Sequence, residues 1–281
     1  MSNYFLGWYF KCQNECDSIA FIVAHHQSAH NKTCSLQVIT NEKSYNIDFP
    51  FESFQKQKDM FCIKIDNHIF SDQGIDLHFN NQDLTITGTL TFSELSPLKY
   101  DIMGPFQYIP FMQCKHSVVS MKHYVNGSLN INNKNYVFKN ALGYIEGDRG
   151  YSFPKQYAWT QCFFNNGSLM LSVADIPFGL FHFTGIIGVI LLNNKEYRLA
   201  TYLGAKVIKK DNHEIVVKQK DMIFKAKLIK TNDLQLLAPT RGAMTRTIHE
   251  SVTCVASYCF IKEKQVLFSF ESSQASFEYE Y

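Results

Sequence analysis

The chain has 281 residues, of which 46% are hydrophobic and 15% aromatic, with 27 basic against 25 acidic side chains and a formal net charge of +2. That supplies apolar material for two medium cores or one large all-β unit, and its even charge leaves no electrostatic footprint for nucleic acid. No GxSxG elbow, GxGxxG or P-loop, or HExxH helix occurs, so hydrolase, nucleotide-dependent and zincin chemistry has no support.

The opening MSNYFLGWYFK lacks a basic stretch followed by an apolar core, the pattern of a signal peptide. Eight cysteines follow without a CxxC pair. Cys12 and Cys16 are close, but a four-ligand zinc site needs a second pair. The thiols read as reduced, small buried hydrophobes, and no metal is expected. His25 and His26 are adjacent and point to opposite faces of an extended strand.

Strand signals then dominate. Ile19–Val23, Leu84–Phe92, Ser168–Val173, Glu214–Lys218, Met222–Ile229 and Gln265–Phe270 are short, rich in β-branched or aromatic residues, and separated by turn chemistry. Asn126-Gly127, Asn166-Gly167 and Asp211-Asn212 each suit a tight hairpin. Long amphipathic helices are absent. The predicted class is all-β.

The two halves echo each other four times in the same order. Tyr4–Trp8 parallels Tyr144–Asp148, Ile19–Val23 parallels Leu169–Val173, Leu84–Leu90 parallels Met222–Leu228, and His116–Ser120 parallels His249–Thr253. Duplication predicts two related antiparallel barrel or sandwich halves, residues 1–140 and 141–281, packed together. Barrel closure removes exposed edges, and small barrels often hold one lipophilic ligand. A pocket is expected in or between the halves.

Among the polar landmarks, Asp101 precedes Pro105 and reads as a turn stabiliser. His116 and His123 are an odd number of residues apart and face opposite ways on a continuous strand, so they are not an obvious metal pair. Gly143–Gln161, GYIEGDRGYSFPKQYAWTQ, is the most unusual segment: charges sit among aromatics, glycines and a proline. It reads either as a sharp corner with an ion pair or as the wall of a ligand pocket. Ile176–Leu192, the longest apolar run, is interrupted by His182 and is shorter than the ~20 residues of a spanning helix. A cytoplasmic protein is expected, with at most peripheral contact with a membrane. Glu196 and Arg198 share a strand face, which favours an ion pair over catalysis.

Several blocks together resemble the tocopherol cyclase-like family. They are Gly7–Lys11 (GWYFK), Asp101–Phe106 (DIMGPF), Pro110–His116, Ser120–His123, Gly143–Cys162, Glu196–Tyr202, Gly242–Arg246 and Ile248–Ser251. Leu6 departs from the pattern, standing where related openings often carry Glu. The resemblance implies a lipocalin-like β fold in two related halves, and acid-catalysed closure of a prenylated quinol to a chromanol without a cofactor. More distantly, the fold resembles carotenoid hydratases.

Such chemistry protonates an alkene, develops a tertiary cation and traps it with a phenol oxygen. It needs a carboxylic acid kept protonated by apolar surroundings, aromatic walls, and a site that excludes water. Glu146 and Asp148 are the candidate acids. Trp8, Tyr151, Phe153, Tyr157 and Trp159 are candidate walls. His116, His123, Arg149 and Gln161 are candidates for orienting the ligand, although Arg149 beside a carboxylate favours its ionised form. The alternatives are a non-catalytic carrier of a hydrophobic ligand, with every carboxylate paired or exposed, and a filled barrel without a cavity.

Overall fold

Short runs of β-branched and aromatic residues, punctuated by Asn, Asp and Gly, leave the backbone few options but antiparallel pairing. The computed structural model describes residues 3–29, 31–110, 112–178, 181–232 and 234–281, with backbone alone at 178, 181 and 182. The first sheet comprises β1 (Tyr4–Gln13), β2 (Ser18–Gln27), β3 (Lys32–Ile39), β4 (Ser44–Pro50), β5 (Phe54–Lys56), β6 (Cys62–Ile65), β7 (His68–Ser71), β8 (Gly74–Asn80), β9 (Thr85–Phe92), β10 (Cys114–Ile131) and β11 (Lys134–Gly150). The second comprises β12 (Tyr157–Phe164), β13 (Gly167–Phe178), β14 (Phe181–Leu192), β15 (Lys195–Ala200), β16 (Lys206–Asp211), β17 (Glu214–Gln219), β18 (Met222–Lys230), β19 (Leu234–Thr240), β20 (Ala243–Lys262) and β21 (Gln265–Tyr279). The fold is all-β, with two related antiparallel lipocalin-like halves packed together.

The strand orders show the relation. The first sheet runs β4-β3-β2-β1-β11-β10-β9-β8-β7-β6-β5 and the second β15-β14-β13-β12-β21-β20-β18-β17-β16. Three of the four sequence echoes fall on strands equivalent in these orders: β2 with β13, β9 with β18, and β10 with β20. The fourth does not. Tyr4–Trp8 and Tyr144–Asp148 lie on β1 and β11, which are paired neighbours with Trp8 opposite Gly147. Asn126-Gly127 also differs from expectation, because it lies inside β10 at a register shift between Val125 and Gly127. Gly127 has φ 127°, and a Cβ there would stand 2.2 Å from the Thr89 carbonyl, so the pair serves a bulge. Asn212 and His213, at φ 47° and 59°, form the tight β16–β17 turn. The apolar run Ile176–Leu192 is divided between β13 and β14; its Gly179, Leu180 and the His182 side chain lie outside the described residues.

Alternation along the strands divides the apolar residues among three cores. Trp8, Phe10 and Cys12 on β1, with Phe21 and Val23 on β2, face the interior of the first sheet. Val217, Phe224, Tyr258 and Phe260 fill the second. The opposite faces meet in a third core between the sheets, built from Tyr9, Ala20, Tyr144, Trp159, Met170 and Ile248. The connection from β9 to β10 packs Ile102 and Met103 against this third core. Asp101 turns that connection, accepting from Met103 N at 2.7 Å. Arg198 holds it through the carbonyls of Tyr100 and Asp101 while pairing with Glu196 at 2.5 Å.

Lys11 crosses the same interface. It is wholly buried, donates to Gln161 Oε1 at 3.0 Å, and has no carboxylate ion pair among the described residues. Burial pulls its pKa from 10.5 down to about 8. The native state therefore binds this proton more weakly than the unfolded chain, and stability rises with pH between about 8 and the ordinary lysine value. Lys11→Met is expected to raise stability at pH 7 by on the order of 2 kcal/mol. Denaturation across pH 7–10.5 should show the gap between the two proteins closing as pH rises. A constant gap would contradict the depressed pKa.

Candidate active site

The inter-sheet core does not close completely. It leaves a cavity of about 160 Å³, lined largely by apolar and aromatic side chains. Four carboxyl groups reach it: Glu146, Asp148, Glu250 and Glu278. The sheet registers explain why. In the first sheet, Gly7, Asp148 and His116 form one cross-strand row, and Tyr9, Glu146 and Val118 form the row two residues along on the same face. In the second sheet, Trp159, Glu278 and Glu250 form a row on β12, β21 and β20. The rows face each other across the gap.

His116 joins the first two rows. Its Nδ1 is 3.0 Å from Asp148 Oδ1, and its Nε2 is 3.2 Å from Glu146 Oε2 but off the line of a hydrogen bond. Burial alone would lower the His116 pKa; Asp148 and Glu146 outweigh it and hold it well above the usual histidine value. His116 is therefore an imidazolium between two carboxylates. Glu146 is further fixed by Tyr144 Oη, which donates to Oε2 at 2.6 Å, and by Trp159 Nε1, which donates to the same oxygen at 3.1 Å. One ligand atom each from His116, Glu146 and Asp148 lies within 4.8 Å of the other two, a spacing that a cation could share. Nδ1 is hydrogen-bonded to Asp148 and Nε2 lies within ion-pair distance of Glu146, so the geometry fits an ion array.

The facing carboxyls behave differently. Glu250 is 1% exposed, and burial, reinforced by the charge of Glu146, raises its pKa to about 8. The Tyr9 hydroxyl lies beside it and pulls its pKa back down in part, although among the described residues Glu250 Oε1 has no partner in ideal hydrogen-bond geometry. Glu278 accepts from Tyr157 Oη, and burial, with the neighbouring carboxyl of Glu250 competing for the same negative charge and with Glu146 and Asp148 adding to it, holds its pKa well above the carboxylate range. Glu278 is half-buried and lines the cavity. The cavity thus sets an ionised array on one wall against two neutral carboxylic acids on the other, the division of labour that acid–base chemistry uses.

Of the residues singled out from sequence, the structure brings Trp8, His116, Glu146, Asp148, Phe153, Tyr157 and Trp159 to this cavity. The remaining four lie elsewhere. Arg149 is exposed on the opposite face of β11 from Asp148, and Tyr151 is 38% exposed. His123 packs over Gly143 and against Phe92 at 4.5 Å, with Nδ1 on Ser120 Oγ. Gln161 is wholly buried as the partner of Lys11. Sequence reasoning missed Tyr9, Glu250, Glu278 and His26 as cavity residues. Tyr9 and Glu250 stand inside recognised blocks, Gly7–Lys11 and Ile248–Ser251, and that was the available signal. Glu278 lies in an alternating C-terminal strand with nothing to mark it.

Comparisons with known proteins support the fold. No protein-family model and no curated protein matches the chain. Solved structures do. CghA in complex with Sch210972 aligns over 99% of this chain and 88% of its own, with TM-score 0.66 and 8% identity. Kievitone hydratase from Nectria haematococca aligns over 99% and 89%, with TM-score 0.57 and 11% identity. A Nitrosomonas europaea protein designated AttH aligns over 100% and 93%, with TM-score 0.55 and 11% identity. At such identities the likeness is one of fold.

Asp148→Asn removes one of the two charges that sustain the His116 imidazolium. NMR titration of the histidine Cε1 resonances is expected to show His116 protonated well above pH 6.5 in the native protein and titrating at lower pH in the variant. Unchanged titration would contradict the array.

Proposed function

We propose that the protein is a cofactor-free acid–base enzyme of the tocopherol cyclase type. It closes a prenylated quinol to a chromanol, or adds water to an alkene of a related lipophile. The observation that carries this reading is Glu250, a buried carboxyl beside the Tyr9 hydroxyl that lines an apolar cavity and has a pKa of about 8. A carrier whose carboxylates are all paired or exposed would not need it. The likeness to kievitone hydratase, a hydratase by name, agrees with water addition as the related reaction.

In the proposed cycle Glu250 gives its proton to the less substituted carbon of a trisubstituted alkene. A tertiary cation develops beside the new Glu250 carboxylate and the faces of Tyr9 and Trp159, which pack edge to face at 5.5 Å. The phenol oxygen forms the C–O bond, and its proton returns to Glu250, restoring the acid. Water entering in place of the phenol gives a tertiary alcohol with the same proton balance. The His116 array leaves the Tyr9 row anionic on one side only, which orients the quinol hydroxyl toward Glu146 and favours the developing cation.

Incubation with a methyl-phytyl-benzoquinol under reducing conditions, followed by chromatography and mass spectrometry, tests this. The expected product has unchanged mass and new retention. Glu250→Gln is expected to lose at least ~10²-fold in rate, while quenching of Trp8 and Trp159 reports retained binding. Because the acid form is required, the native rate should fall as pH rises through about 8. Quinol bound and recovered unchanged would make the protein a carrier. Neither binding nor turnover would remove the reading.

A further inference from the structure

One buried polar group of the cavity has no part in that cycle. His26, on β2, is 2% exposed, and its ring faces the cavity with Ile22 and Ala24, its neighbours at two-residue steps. Its Nε2 is 3.1 Å from Ser35 Oγ, and Nδ1 has no partner among the described residues. The imidazole is neutral, since burial lowers its pKa to about 4. Among the described residues no carboxylate pairs with it, and the neighbouring His25 packs against Phe54 at 4.8 Å. A buried ring nitrogen left unmatched is destabilising, and a polar group arriving with the ligand would satisfy it.

The registers locate this nitrogen relative to the acids. His26 lies opposite Phe5, while Ile22 lies opposite Tyr9 in the acid row. Four residues along a strand separate the two rows, about 13 Å. Between them the floor is low: a Cβ on Gly7 would stand 2.8 Å from the Ala24 methyl, so that stretch admits only small residues. A slender apolar ligand can therefore run from the acids across Gly7 and Ala24 to His26.

We infer that His26 is a second recognition site, binding an oxygen function that the substrate carries about 13 Å from its reacting end. The substrate class is then a prenylated aromatic or terpenoid with a hydroxyl or carbonyl far along its chain, and not a plain hydrocarbon tail. This deepens the cyclase reading and rests on it for which end of the ligand meets the acids. The neutral imidazole can accept from a hydroxyl, or donate to a carbonyl when Ser35 supplies the proton to Nε2.

A binding series tests it without turnover. Hydroquinones with saturated isoprenoid chains cannot react; one lacks further oxygen and the others carry a hydroxyl moved stepwise along the chain. Quenching of Trp8 and Trp159 gives each Kd. The native protein is expected to prefer one hydroxylated member about tenfold over the plain compound. His26→Leu should erase that preference, leaving the hydroxylated and plain compounds with Kd values within about twofold of each other. Ser35→Ala, which alters no cavity atom, should keep it. Should the leucine variant not fold, His26→Phe takes its place. Absence of any preference in the native protein, or its survival in the His26 variant, would overturn the inference. The preference seen without turnover of an unsaturated quinol would uphold the second site and remove the cyclase.

Discussion

Everything distinctive in this molecule follows from four carboxyl groups held in one apolar gap between two sheets. Charges in such a place repel one another and lack water, so they cannot all be ionised. The structure resolves the conflict by giving one pair a cation and letting the other pair stay neutral. Asp148 and Glu146 share the His116 imidazolium. Glu250 and Glu278 keep their protons, and each charge on the first wall pushes them further in that direction. The asymmetry is thus a consequence of crowding, and it yields an acid that can act at neutral pH.

The scaffold makes that crowding sustainable. Each sheet wraps its own apolar core, so the face that meets its partner is spare and can carry polar groups. Duplication doubles the fold but not the chemistry. The equivalent strands β10 and β20 bring His116 to one wall and Glu250 to the other, and two walls with different charge states meet where two copies of one design pack. Gly147 takes part as well, because a Cβ there would stand 2.7 Å from the Trp8 ring. Its bare backbone lets the Trp8 ring lie against β11 on the face opposite Glu146 and Asp148.

The all-β class was legible because the strands are short, β-branched and bounded by turn residues, and that signal is local. Asn126-Gly127 forms a bulge where its sequence suits a hairpin, since the same dipeptide serves both and only cross-strand pairing distinguishes them. Half of the site was legible too. Gly143–Gln161 announced itself by placing Glu146, Asp148 and Trp159 among aromatics. The other half was hidden, because a carboxyl's role depends on what faces it across a gap. Glu250 and Glu278 reach Glu146 only through the packing of the two sheets, and strand patterns do not encode that contact. Arg149 illustrates the converse: adjacency in sequence put it beside Asp148, but the pleat sends it to solvent.

The central claim is that Glu250 remains a neutral acid facing the cavity at physiological pH. Infrared difference spectroscopy on the folded protein, titrated from pH 6 to 10, tests it most directly. The account predicts a protonated-carboxyl stretch that persists at pH 7, disappears near the pH of about 8 assigned to Glu250, and is absent from that transition in Glu250→Gln. A carboxyl spectrum already fully ionised at pH 7, or one whose transition is unchanged in the variant, would contradict it.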